Sequence, residues 1–358
     1  MEGFARSIAV LLLPIIAFAC IVADGGPAAA FEVLLALTML AMPIDAVGPR
    51  VGRTRDTVGS TATALLFAAL LVQGALLVYA LWLVSATPKA PMAIAMIAVM
   101  VGVSGGIVGI SSAHELVHRR GRLERAIAQA FMLLVSYPHF PIVHLRVHHP
   151  YVGTPLDPGT SRLNEPLAHF VGRAFVLAWQ SGWRVERSRL ARKGLTPWRM
   201  DNAIVVAAAL QAAVYVAVGT AFGWIGLALF LGQSAVAMLL ALTIDYTQHY
   251  GVVRARLASG RMEPFRAAHA WTSDHASNRS TFNLGLHADH HLKPTLDYRQ
   301  LANDEGSLQA PIGYPGLLLL AWVPPLWFRV MNPRLRAFAT DRLKFAQTES
   351  GAGATDRD

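Results

Sequence analysis

From Ala203 to Ile244 the chain carries no charged residue, a run of about two membrane-span lengths. A helix on the surface of a soluble protein keeps one polar face, so this run can only be buried in protein or in lipid. Thr57 to Thr87 and Ala90 to Ala113 are uncharged as well. Charged residues make up 15% of the 358 positions and hydrophobic ones 54%, against about 25% charge in an ordinary soluble domain. The pattern predicts an all-α, polytopic membrane protein.

Spans are expected over residues 7–23, 27–46, 61–84, 90–113, 203–221 and 224–244. They form a bundle of six transmembrane helices in three hairpins, with Gly219, Gly223 and Gly226 at the third turn. The first stretch lacks a small-residue cleavage site and reads as a span, not a removed signal. Residues 126–145 hold Pro138 and Pro141, and residues 306–328 hold Pro311, Pro315, Pro324 and Pro325. Proline breaks helices, so both are expected to be interfacial or re-entrant. A single domain over 1–347 and a small, polar, disordered tail over 348–358 complete the organisation.

Basic residues set the orientation. Arg50, Arg53 and Arg55, the segment Arg119 to Arg199 and the segment from Arg254 onward lie on one side; the turns near Asp24, Lys89 and Gly223 are almost free of Arg and Lys. Both termini and the His-rich segments 114–200 and 245–347 are therefore expected to be cytosolic. The net charge of +9 reflects this orientation and not nucleic-acid binding. A basic patch at Arg184, Arg187, Arg189, Arg192 and Lys193 suits anionic lipid or an acidic electron carrier.

Histidines cluster at the ends of these spans. They read His114-Glu-Leu-Val-His118, His144-x-x-x-His148-His149, His249, and His287-x-x-His290-His291. Nine imidazoles exceed what one metal takes, so two ions are expected. On a helix, His114 and His118 share one face and can bind one metal together; His144 and His148 have the same spacing. His149 lies about 100° further round and suits the second ion. His287, His290 and His291 again share a face. Glu115, Asp245 and Asp289 are candidates to orient imidazoles, the alternative for each being a surface carboxylate. Isolated histidines such as His139 and His169 read as ordinary polar residues. The first box also matches the zinc-peptidase pattern with Glu115 as base, but a single-zinc site leaves seven histidines unused. A non-catalytic transport path is disfavoured because all the histidines lie on one side. The one cysteine, Cys20, excludes a disulfide framework or an iron–sulfur site within this chain. Trp82 and residues 102–109 shape an apolar channel, or else serve as membrane anchor and close helix packing.

As a set, these groups resemble the integral-membrane alkane hydroxylases and the related xylene monooxygenases, within the fatty-acid-desaturase-like superfamily. The resemblance runs from about Ser112 to Leu335. It includes His-Glu-Leu-Val-His-Arg-Arg at 114–120, His-His-Pro-Tyr-Val-Gly-Thr-Pro-Leu-Asp at 148–157, Gln-His-Tyr-Gly at 248–251, His-Ala-Asp-His-His at 287–291 and Pro-Pro-Leu-Trp-Phe at 324–328. It implies a non-haem di-iron monooxygenase in a bacterial-type inner (cytoplasmic) membrane, with two Fe ions on the nine histidines. One atom of dioxygen enters a terminal methyl group of an n-alkane or alkyl chain and the other becomes water. Two electrons come from a rubredoxin or ferredoxin-type carrier and its reductase. His269 and His275 resemble a family segment that supports the ligands. Val143 and Arg146 in the second box, and Asp245 and Gln248 before His249, depart towards the methyl-arene branch; His-Ala-Asp-His-His leans back to the alkane branch. A fatty-acid desaturase or lipid hydroxylase is the further alternative.

Overall fold

The computed structural model describes residues 60–352 and, ahead of them, residues 11, 13–19, 21, 32, 36, 40–43, 45–48, 50 and 51. The expected spans over 7–23 and 27–46 therefore lie only partly within the described residues. Those described within 11–21 are helical.

Helix α1 (Ser60–Ala86) has no charged residue on any face, as a helix surrounded by lipid and other helices requires. Helix α2 (Pro91–Val117) starts on a proline, whose missing N–H costs nothing at a helix start. It contains a wide turn at Gly105–Gly109, where Ile110 N–H donates to Gly105 O. Helix α3 (Arg122–Leu134) is amphipathic and buries Ala128, Phe131 and Met132. Helix α4 (residues 140–151) contains a second wide turn at His144–His148. Helix α5 (Leu167–Ala191) follows.

The long run Ala203–Gln248 is capped by Asn202, whose side chain accepts from Ile204 N. At Gly223 the backbone turns to φ 69°, ψ −173°, a conformation that favours glycine. The rings of Tyr215 and Phe230 lie 6.0 Å apart; in one straight helix these positions would be separated by roughly 22 Å. The run is thus a hairpin, α6 (residues 203–222) and α7 (residues 224–248). Short helices α8 (His287–Leu292) and α9 (Tyr314–Ala321) and the long α10 (Pro324–Ala352) complete the chain. Strands β1 (Trp271–Thr272) and β2 (Leu308–Gln309) pair in parallel with Trp271 opposite Leu308.

Helices α1, α2, α6 and α7 thus occupy four of the expected spans, by length and composition. Neither proline-rich stretch forms a spanning helix: α3 has 13 residues and α9 has 8, too few to cross a hydrocarbon core. Helix α10 continues past Thr348 to Ala352, so the start of the expected tail is helical; residues 353–358 lie outside the described ones.

Packing of α2 on α7 is close because of glycine. A Cβ on Gly102 would come within 2.6 Å of Gln233 O, and one on Gly106 within 3.1 Å of Ala237 O. Residues 102–109 therefore serve close packing here, and Trp82 is 53% exposed on the outer face of α1. Polar side chains lock the bundle internally. Ser104 Oγ donates to Gln73 Oε1 at 2.6 Å, and Gln73 Nε2 to Val101 O at 3.1 Å. Gln233 Nε2 donates to Leu134 O at 2.8 Å, fixing α7 against the end of α3. Below the bundle, Tyr246, Tyr250, Trp271 and Trp327 form an aromatic core, with Trp271 Nε1 donating to Tyr250 O at 2.9 Å.

Candidate metal centre

Four elements deliver the histidines to one place. The last turn of α2 presents His114 and, at its C-cap, His118. Helix α4 brings His144, His148 and His149, the end of α7 brings His249, and α8 brings His287, His290 and His291.

The nine nitrogens sort into two groups. His114, His118, His144 and His290 have ring nitrogens all within 4.8 Å of one another, as do His148, His249, His287 and His291. His149 belongs with the first, its Nε2 3.0 Å from His144 Nε2. Other close pairs are His118–His144 at 2.9 Å, His249–His287 at 2.9 Å and His287–His291 at 3.0 Å, all between Nε2 atoms. Metal–nitrogen bonds of about 2.0–2.1 Å at right angles put neighbouring nitrogens roughly 3 Å apart, so the spacing fits two ions. The buried Nε2 atoms of His114, His148 and His290 have no hydrogen-bond partner. Buried nitrogens without partners are costly unless something binds them. The rings of His149 and His291 meet at 4.4 Å, joining the groups.

This partition corrects two expectations from spacing. His144 and His148 fall in different groups. The turn they span is wide, with His149 N–H donating to His144 O; an i→i+5 turn stacks residue i+5 over residue i. His144 thus pairs with His149 and frees His148 for the other group. Similarly α8 sits between the groups: His287 and His291 face one, and His290 turns to His114 and His118, both at 4.7 Å between ring centroids.

Electrostatics favours neutral ligands. Burial holds His118 and His249 down to about 3. Burial, then neighbouring imidazoles, pushes His144, His149, His287, His290 and His291 well below the usual histidine value. An unprotonated imidazole keeps the lone pair a metal needs. His148 differs: burial would lower it, but the Asp157 charge and hydrogen bond outweigh burial and raise it.

Asp157 is the residue that sequence reasoning missed. Its Oδ2 lies 3.0 Å from His148 Nδ1 and accepts from Thr160 Oγ1 at 2.8 Å; its Oδ1 accepts from Gly159 N at 3.0 Å. Burial would raise this carboxyl, but His148 and Thr160 hold it below its usual range. The signal was the Asp-Pro-Gly-Thr turn at 157–160, a sequence in which Asp folds back on its own backbone.

Of the carboxylates expected to orient imidazoles, Glu115 and Asp289 bond elsewhere. Glu115 accepts from Arg119 at 2.7 Å and from Tyr298 N at 3.3 Å, and Arg119 continues to Asp297 at 2.8 Å. This chain ties the end of α2 to the segment after α8. Asp289 accepts from Lys293 at 2.7 Å and Ala302 N at 3.0 Å, fixing the same segment. Asp245 lines a cavity of about 30 Å³ beside His144, His148 and Asp157. His269 is held by Glu263 at 3.1 Å and meets Phe265, which packs on His291 at 5.0 Å. His275 contacts Ser273 Oγ at 3.0 Å. Arg146 forms an ion pair with the buried Glu186, which also accepts from Ala203 N at 2.8 Å; α4 is thereby tied to α5 and α6.

Residues 89–304 match the fatty acid desaturase family. Alkane 1-monooxygenase of Pseudomonas putida is 34% identical over 282 residues, 78% of this chain and 70% of that protein. The chain belongs to the alkane 1-monooxygenase branch of the fatty acid desaturase superfamily. Alkane 1-monooxygenase 1 of Pseudomonas aeruginosa is 38% identical over 234 residues, 65% of this chain and 61% of that protein. The chain thus spans about three fifths of that relative's length. The xylene/toluene monooxygenase hydroxylase component of Pseudomonas putida is 30% identical over 237 residues, 64% of this chain and 62% of that protein. The histidine groups lie inside the family match.

Proposed function

We propose that this chain is a membrane-bound di-iron monooxygenase that hydroxylates a terminal methyl group of a hydrophobic hydrocarbon, an n-alkane or alkyl chain. The observation that carries it is the convergence of nine histidines, seven of them buried, into two adjoining all-imidazole groups. Membership of the alkane 1-monooxygenase branch supports iron as the metal. Bound iron would supply dioxygen activation and attack on an inert C–H bond. The chain's own residues hold the ions, orient His148 through Asp157, and exclude water with the ends of α2 and α7 above and residues 250–310 below. The single cysteine fits a separate rubredoxin or ferredoxin-type carrier as source of two electrons. The six-span arrangement, with both termini and the histidines on the cytosolic side of an inner membrane, remains the topology best supported by the basic loops.

The test is metal analysis of the protein purified in detergent, then incubation with alkane, ¹⁸O₂ and a reduced carrier. About two irons per chain and a terminal alcohol carrying one ¹⁸O are expected. A double bond or an internal hydroxyl would move the reading to a desaturase or lipid hydroxylase. One zinc with peptide cleavage would move it to a protease. The xylene/toluene relative favours methyl-arenes as a second substrate class, read by benzyl alcohols formed from xylenes.

A further inference from the structure

Outside the metal centre a hollow lies between α5 and the start of α6. Trp179, Gln180, Trp183, Arg184 and Ile204 line a space of about 520 Å³. It adjoins a second, of about 380 Å³, formed by the same tryptophans with Trp198, Val205 and Ala208. The rings of Trp183 and Trp198 meet at 4.7 Å, yet Trp198 is 77% exposed. The groove opens where α6 starts, at the expected level of the membrane surface, and α5 exposes Phe175 and Val176 beside it. Tryptophan is favoured at that depth.

Charge selects the occupant. Of the basic residues near the C-terminal end of α5, Arg189 is taken by Glu186, at 2.8 and 2.9 Å, and by Asp201 O. Arg184, at the rim, and Arg187, one turn further on, are exposed and have no carboxylate partner among the described residues. Arg184 Nε donates only to Gln180 O, at 3.3 Å; an apolar trough ending in two exposed guanidinium groups without a carboxylate partner matches an acyl chain joined to a phosphate. The groove is not an opening to the metal centre, because Trp179 lies over His139 at 4.1 Å and closes it on that side.

We propose that this groove binds one anionic phospholipid, its acyl chain along Trp179, Trp183 and Ile204 and its phosphate on Arg184 and Arg187. The lipid fastens α5, and with it the Glu186–Arg146 tie to α4, against the membrane hairpin. This proposal does not depend on the reaction the metal centre performs.

The test uses the full-length protein in phosphatidylcholine vesicles. Tryptophan fluorescence is followed as brominated phosphatidylglycerol or brominated phosphatidylcholine is added. Brominated phosphatidylglycerol is expected to quench at lower mole fraction, with recovery on adding unbrominated phosphatidylglycerol but not phosphatidylcholine. R184Q/R187Q should weaken that preference by about fivefold per arginine while metal content stays unchanged. Equal quenching by the two lipids in the unaltered protein would overturn the proposal without any variant. A preference that persists in R184Q/R187Q would also overturn it. If that variant keeps the lipid preference but loses turnover with an acidic carrier, the patch docks a protein instead.

Discussion

Replacing Asp157 by Asn keeps the shape of the side chain and removes one charge from a buried pair. Asp157 Oδ2 is 3.0 Å from His148 Nδ1 and has no solvent exposure. The carboxylate fixes which ring nitrogen carries the proton and so aims His148 Nε2, which has no other partner, at the second group. Loss of a partner of this kind typically costs 10–100-fold in metal affinity, about 1.4–2.7 kcal/mol. The cost should fall on the group His148, His249, His287 and His291 and spare the other. The assay is metal loading against a competing chelator, with metal per chain read by mass spectrometry. Asp157→Asn is expected to keep one ion at unchanged affinity and bind the other 10–100-fold more weakly. Asp289→Asn is the control: Asp289 bonds Lys293 and Ala302 N, not an imidazole, and its metal affinity should be unchanged. Two ions held at full affinity by Asp157→Asn, or equal losses in both variants, would refute the reasoning.

Other outcomes follow from the same geometry. Because Asp157 raises His148 above the usual value, loading metal into the apoprotein near neutral pH should release a proton from His148. The release should shrink as pH rises and in Asp157→Asn, read by a pH dye in weak buffer; release unaffected by the substitution would count against it. The imidazoles that burial holds low act with the opposite sign. The unfolded chain protonates them near pH 6.5 and the folded chain does not, so apoprotein stability is present above that pH and falls below it, by up to about 1.4 kcal/mol per group per pH unit. Melting temperatures measured from pH 8 to 5 should drop below pH 6.5; a flat profile would refute neutral burial. Gly102→Ala places a methyl 2.6 Å from Gln233 O and should cost about 1–3 kcal/mol, seen as a lower melting temperature with both ions still bound. His249→Ala should lose the second ion and all hydroxylase activity while the protein stays in the membrane, and retained activity would remove His249 from the ligand set.

Much of this was legible because charge and spacing are coarse signals. An uncharged run has few places to go, so α1, α2 and the hairpin broken at Gly223 follow from Ser60–Ala86, Pro91–Val117 and Ala203–Gln248 with small shifts at the ends. Nine histidines in spaced boxes announce metal binding through residue type alone. Their partition did not follow, since spacing predicts faces only for a regular α-helix. The wide turn at His144–His148 changes the period from four to five, and no residue in His-Leu-Arg-Val-His marks it. Two of the candidate carboxylates, Glu115 and Asp289, bond elsewhere for a related reason. Glu115 and Asp289 are adjacent to ligands in sequence, but adjacent helical residues point about 100° apart, so nearness along the chain argues against touching the same imidazole. Asp157, nine residues from His148, reaches it because the turn at 157–160 folds back.

The way the histidines are shared makes the two groups unequal in what they tolerate. Helix α2 contributes only to the first group and the end of α7 only to the second, whereas α4 and α8 each contribute to both. Disturbing α2 or α7 should therefore loosen one group, and disturbing α4 or α8 should loosen both. Arg146 sits within the wide turn of α4, and its ion pair with the fully buried Glu186 anchors that turn. Arg146 is 46% exposed in that pair and Arg189 remains beside Glu186, so removing Arg146 should cost about 1 kcal/mol, the scale of a solvent-screened ion pair. Arg146→Met thus removes no ligand yet should lower affinity for both ions together, whereas Asp157→Asn lowers one. If Arg146→Met weakened a single ion, α4 would not be the shared element that its three histidines make it.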